Sequence, residues 1–193
     1  MHQELTMNGT KGFKLTGLDN SDIIFRNFAG VEKQYNTEGD RNFCVRLDPD
    51  VANTLAEYGV PIKILDPREE DEEPTRFMKV KIKGWSKIYS ATVNQRWPED
   101  MTLAQRMEKQ LLSDKALYSL DDPANINSAW LVCTFYHWTI GQASTKSGIS
   151  VSLEKGFFKL EPNEMESKFF GIPDGESPMN TITFEAIKKK IED

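Results

Sequence analysis

The chain has 193 residues, of which 38% are hydrophobic, and its 30 acidic side chains outnumber 24 basic ones for a net charge of −6. That length suits one domain with elaborations around a single core. No apolar run reaches the ~20 residues of a membrane-spanning helix, residues 1–14 lack the apolar centre of a secretory signal, and the acidic total disfavours a polyanionic partner unless the positive charge is concentrated in one place.

Residues 1–12 are polar and are expected to form a flexible arm ahead of a main domain at residues 13–160. Asp22 to Phe28 and Arg41 to Asp48 are short, rich in β-branched or aromatic residues and flanked by turn formers, which predicts two strands of an antiparallel hairpin. On the second of these, Phe43, Val45 and Leu47 alternate with Asn42, Cys44 and Arg46, so the odd positions are expected to face the core. A short helix should follow, with Asp48 as N-cap, Pro49 in its first turn, Gly59 as a left-handed stop, and Val51, Ala52, Leu55 and Ala56 as its apolar stripe. Ile62 to Leu65 is a brief strand candidate, and residues 68–74 (REEDEEP) read as a charged loop.

Arg76 to Lys83 alternates again, with Met78, Val80 and Ile82 on one face and Phe77, Lys79, Lys81 and Lys83 on the other. A turn is expected at Gly84, then a separate strand over Lys87 to Val93. Thr102 and Gln105 form a capping-box signature opening a helix that carries Leu103, Met107 and Leu111. Ser128 to Gly141 and Gly148 to Leu160 predict a long strand pair across a polar loop. Residues 161–193 turn acidic and irregular before a short final helix around Phe184 to Ile191. About seven strands with one or two inserted helices and extended hairpins predict a mainly β chain, in an all-β or α+β barrel.

The most informative stretch is Arg76 to Trp97. It holds Arg76, Lys79, Lys81, Lys83, Lys87 and Arg96 without a single acid, interleaved with Phe77, Trp85, Tyr89 and Trp97. Lys79, Lys81 and Lys83 would stand ~6.6 Å apart along one strand face. Single-stranded nucleic acid offers two features that can be held without reading sequence: phosphates, which pair with Lys and Arg, and unstacked bases, which lie on aromatic rings. The candidate phosphate contacts are Arg26, Arg41, Lys79, Lys81, Lys83 and Lys87, and the candidate stacking rings are Phe28, Tyr35, Phe77 and Trp85. The competing reading is an ordinary solvated strand, whose lysines guard against edge pairing and whose tryptophans belong to the core.

Other chemistry finds little support. There is no phosphate-cradling glycine motif, paired zinc cysteines or nucleophile elbow. Cys133 and His137 lie four apart on a predicted strand with only Cys44 as an evident third ligand, short of a zinc set. No cofactor, metal or catalytic group is therefore expected, and both cysteines are read as reduced, buried thiols of an intracellular protein.

Phe25-Arg26-Asn27-Phe28, the return Tyr35 to Cys44, the following helix, and the acidic turn into a basic strand together resemble a family of small phage and prophage single-stranded-DNA-binding proteins. The likeness covers about the first 85 residues well and the later strand pair more loosely. It implies an OB-like β-barrel that binds single-stranded DNA without sequence preference in phage replication or recombination, within the cytoplasm of a bacterial host. The chain departs from the acidic, aromatic-tipped tail common among single-strand binders, ending in Lys188-Lys189-Lys190-Ile191-Glu192-Asp193. Contacts with replication or recombination proteins through such a tail are thus in doubt. A second reading is a protein-interaction or assembly module built on Trp130 to Ile140, with Trp130, Tyr136 and Trp138 on one strand face. A homodimer is compatible with either reading.

Overall fold

The computed structural model describes residues 2–67, 73–93, 95, 97–121, 126–141 and 146–162. Residues 68–72 of the charged loop, Arg96, most of the 142–147 loop, and residues 163–193, with the final helix expected there, lie outside these.

The chain is mainly β, with strands β1 (Glu4–Asn8), β2 (Gly12–Leu18), β3 (Ile23–Asn27), β4 (Asn42–Leu47), β5 (Lys63–Leu65), β6 (Thr75–Thr92), β7 (Ile126–Ile140) and β8 (Lys146–Leu160). Helix α1 (Pro49–Glu57) follows β4; helix α2 (Leu103–Gln110) and a 3-10 segment (Asp114–Leu120) lie between β6 and β7. All eight strands join one mixed sheet in the order β1-β2-β7-β8-β6-β4-β3, with β5 on the flank of β6. Among the described strands only β6 and β8 run parallel.

This sheet does not close into a barrel through its ladders, but it curls. Phe13 and Leu15 of β2 share one core with Phe43 and Val45 of β4 and Val80 of β6. The seam between the two ends is spanned by Gln3. Its side-chain Nε2 donates to the Arg46 carbonyl, and its Oε1 accepts from the Asp48 N–H. The amide thus supplies one rung where a neighbouring strand's backbone would stand. Residues 4–8, expected within an arm, instead form β1, paired with β2 from Glu4↔Thr16 to Asn8↔Gly12.

Local signals act as their chemistry dictates. Thr102 and Gln105 complete a capping box at α2. Gly59, at φ +84°, takes the left-handed turn after α1. Val51, Ala52 and Leu55 bury the α1 stripe, whereas Ala56 is exposed. Asp48 precedes α1 without capping it, because its carboxylate accepts from the Gln3 backbone.

The turn expected at Gly84 is not formed. β6 runs through it as one 18-residue strand. Its pairing with β8 jumps from Ile82↔Leu153 to Lys87↔Lys155, so residues 83–86 bulge out of the ladder. Ser86 Oγ holds the bulge by accepting from Lys83 N–H and donating to the Leu153 carbonyl.

Candidate nucleic-acid interface

Paired residues on adjacent strands share a face of the sheet. Val80 pairs with Phe43 and Val151, and Met78 with Val45, all directed to the core. The alternate residues therefore face outward: Phe77, Lys79 and Lys81 of β6 opposite Arg46, Cys44 and Asn42 of β4. Lys83 and Trp85 follow at the bulge, both exposed. Trp85, at 55% exposure, stands clear of the ladder.

The structure adds residues that sequence reasoning missed. Lys63 of β5 pairs with Phe77 and so joins this face. Burial pushes the Cys44 thiol above its ordinary value, while the charges of Lys79, its cross-strand partner, and Lys63 pull against the shift. Phe25 is 58% exposed and meets Phe77 edge-on at 5.6 Å. It is also the non-glycine residue with positive φ, 50°, among those described. Non-glycine residues held in this region of backbone space cluster at ligand clamps and other functional sites, which makes Phe25 a candidate contact. On β7, Tyr136 and Trp138 pair with Ser150 and Gly148, alternate to Phe135↔Val151, and so face outward with Lys81, Ser152 and Thr134. Trp138 lies over Gly148, where a Cβ would come within 2.6 Å of its ring.

The loop between β3 and β4 overhangs one side. Lys33 and Asn36 bond reciprocally through their backbones, making a two-residue turn that carries Tyr35 at its tip, 85% exposed. Asn36 Oδ1 accepts from Asn42 Nδ2, and Lys79 Nζ lies 3.3 Å from the Asp40 carboxylate. The loop is thereby tied to the basic face.

Other expected contacts fall elsewhere. Phe28 is 0% exposed, stacked on Phe43 at 4.8 Å in the core, and offers no surface to a base. The cause is a bulge in β3. Ile24 pairs with Cys44 and Asn27 with Asn42, so the extra residue turns Phe25 outward and Phe28 inward. Phe77 is 7% exposed and serves as the floor beneath Phe25. Arg26 donates to the Ile23 carbonyl and to Asn20, which binds it into the β2–β3 turn. Arg41 is paired with Asp114 at 2.8 Å, away from the lysine row. Lys87 lies past the bulge, beside Lys155. Tyr89 and Trp130 are buried with Phe157 in a smaller cluster against Leu103 and Met107 of α2.

Cys133 is buried on the inner face and Cys44 on the outer, while His137 is exposed. Among the described residues no group of three or more His, Cys, Asp or Glu is placed to hold a metal, and no helix is long and apolar enough to cross a membrane.

A protein-family model described as "Putative phage ssDNA-binding domain" matches residues 9–190. No curated protein and no solved structure matches the chain.

Proposed function

The chain belongs to this phage ssDNA-binding-domain family, and from that premise we propose that it holds single-stranded DNA, without reading base sequence, along the outer face of β4, β5 and β6. One observation carries the proposal: a protein with net charge −6 gathers Lys63, Lys79 and Lys81 on the face that also displays Phe25, with Lys83 and Trp85 exposed at the bulge that continues it. Phosphates follow the lysines and release counterions. Bases turn toward Phe25, Trp85 and the Tyr35 tip, with Tyr136 and Trp138 as a flanking wall. The mechanism is passive, since coating a strand prevents re-pairing and shields it from nucleases. It calls for no catalytic group.

We read the fold as OB-like. In support, β3, β4, β6, β7 and β8 lie in the spatial order β3-β4-β6-β8-β7, with helical segments between β6 and β7. That is a partly open Greek-key arrangement. β2 and β3, separated only by the turn at 19–22, act as two halves of one bent strand, the first pairing β7 and the second β4. Strands 2 and 3 of such a barrel, here β4 and β6, are where the fold receives oligonucleotides. We extend the proposal to a role in phage replication or recombination in the host cytoplasm, where exposed single strands would need such a coat; the family's single-stranded-DNA-binding description supports it.

The test is a gel-shift titration comparing single strand, duplex and RNA of equal length. Preferential retardation of single-stranded DNA is expected; equal or absent shifts would overturn the proposal.

A second reading rests on the β7–β8 ribbon, where Tyr136 and Ile140 are exposed. These side chains could serve homodimer assembly, or contact replication proteins, without DNA. Sedimentation showing a concentration-independent oligomer indifferent to oligonucleotide would favour it.

A further inference from the structure

A cavity of about 540 Å³ opens on the outer surface between the β1–β2 hairpin and the middle of β7 and β8, lined in part by Lys11, Lys14, Val132, Glu154 and Lys155. We propose that it is a second phosphodiester subsite for the same strand, lengthening the footprint beyond the β6 lysines. This rests on the single-strand reading above.

Two cross-sheet rows lead from β6 into the cavity. The first runs Lys81↔Ser152, Ser152↔Thr134 and Thr134↔Gly12. The second runs Lys87↔Lys155, Lys155↔Val132 and Val132↔Lys14. Both rows lie on the outer face, since Lys14 alternates with the buried Phe13 and Leu15. At ~4.8 Å between neighbouring strands, Lys87 and Lys14 are about 14 Å apart. Between the rows the sheet is interrupted twice, by the 83–86 bulge of β6 and by the register shift that leaves Glu154 unpaired with β7. The second of these interruptions lies in the cavity itself, since Glu154 is one of its lining residues.

The lining selects the chemistry. Lys11, Lys14 and Lys155 and one acid, Glu154, are among the residues that line the cavity, so the lining carries a positive balance that suits an anion. The aromatic side chain in its wall, Phe13, is buried and presents no ring for stacking. The cavity therefore suits backbone phosphate rather than base. A strand running across the sheet would pass from Lys81 and Lys83 between the two rows and end against the hairpin.

An oligo-dT series from about 4 to about 16 nucleotides tests this. Wild-type affinity should keep rising after the β6 face is filled. The Lys11→Gln/Lys14→Gln variant should bind short oligomers as wild type does and lose most of the gain shown by long ones. Lys11→Glu alone, altering an exposed side chain on a turn, should act in the same direction and guards against a folding effect at Lys14. Variants that match wild type at every length, or wild-type affinity that stops rising once short oligomers are bound, would overturn the second subsite and leave the first intact. Absence of binding at any length would overturn both.

Discussion

Lys79 Nζ sits 3.3 Å from the Asp40 carboxylate, with both side chains about one-third exposed, so the central lysine of the basic face is already paired with an anion. A phosphate must share or displace that carboxylate. Partly exposed pairs are worth ~0.2–1 kcal/mol. Asp40→Asn should therefore tighten oligo-dT binding by up to about fivefold at low salt, with little change in stability. Weaker binding by this variant would show that Asp40 organises the loop for the ligand rather than competing with it.

Exposed and buried phenylalanines should respond in opposite ways. Phe25→Ala and Trp85→Ala should each weaken single-strand binding by ~1–3 kcal/mol while leaving the unfolding midpoint nearly unchanged. Phe28→Ala removes a ring packed against Phe43 and Phe158 and should cost ~3–5 kcal/mol of stability. Urea unfolding and fluorescence titration of the three variants separate the two roles. Loss of affinity in a Phe28 variant that remains fully folded would contradict the core assignment.

The Gln3 rung can be tested alone. Gln3 is buried, and its side chain satisfies the Arg46 carbonyl and the Asp48 N–H. Gln3→Ala strands both groups and should lower stability by ~1–3 kcal/mol for each one left unsatisfied. Amide exchange should rise first at Asp48 and along β1. A variant as stable as wild type would mean that the seam is held by packing alone.

Both thiols are raised by burial, Cys133 much further than Cys44, with Glu154 adding to the rise at Cys133. In the fold they stay neutral at pH values where an unfolded chain, with thiols near pH 8.5, would ionise them. Their contribution is complete below that value and is lost as pH rises above it, at up to about 1.4 kcal/mol per pH unit per thiol. Unfolding free energies measured across this range should fall more steeply for wild type than for Cys133→Ala. Parallel curves would refute the linkage.

How much of this could be read in the sequence depends on range. Alternation fixed the faces of β4 and the first half of β6, because Phe43, Val45, Met78 and Val80 leave one arrangement that buries them all. Caps at Thr102 and the turn at Gly59 were local chemistry. β1 was hidden because its residues are exposed or half-buried and lack an apolar run; only pairing with β2 orders it. The exchange of Phe28 for Phe25 turned on a bulge set by the partner strand. Lys63, Tyr136 and Trp138 reached the basic face through pairings that join residues far apart in sequence. Gly84 misled because glycine marks a bulge as readily as a turn.

The most direct measurement is the salt dependence of oligo-dT affinity for wild type and for a Lys81→Gln/Lys83→Gln variant. Each phosphate contact on a single strand contributes ~0.7 to the slope of log K against log salt. The variant should lose about 1.4 from that slope and bind more weakly at low salt, with an unchanged unfolding midpoint. If affinity and slope survive the loss of both lysines, the β6 face is an ordinary solvated surface and the strand lies elsewhere.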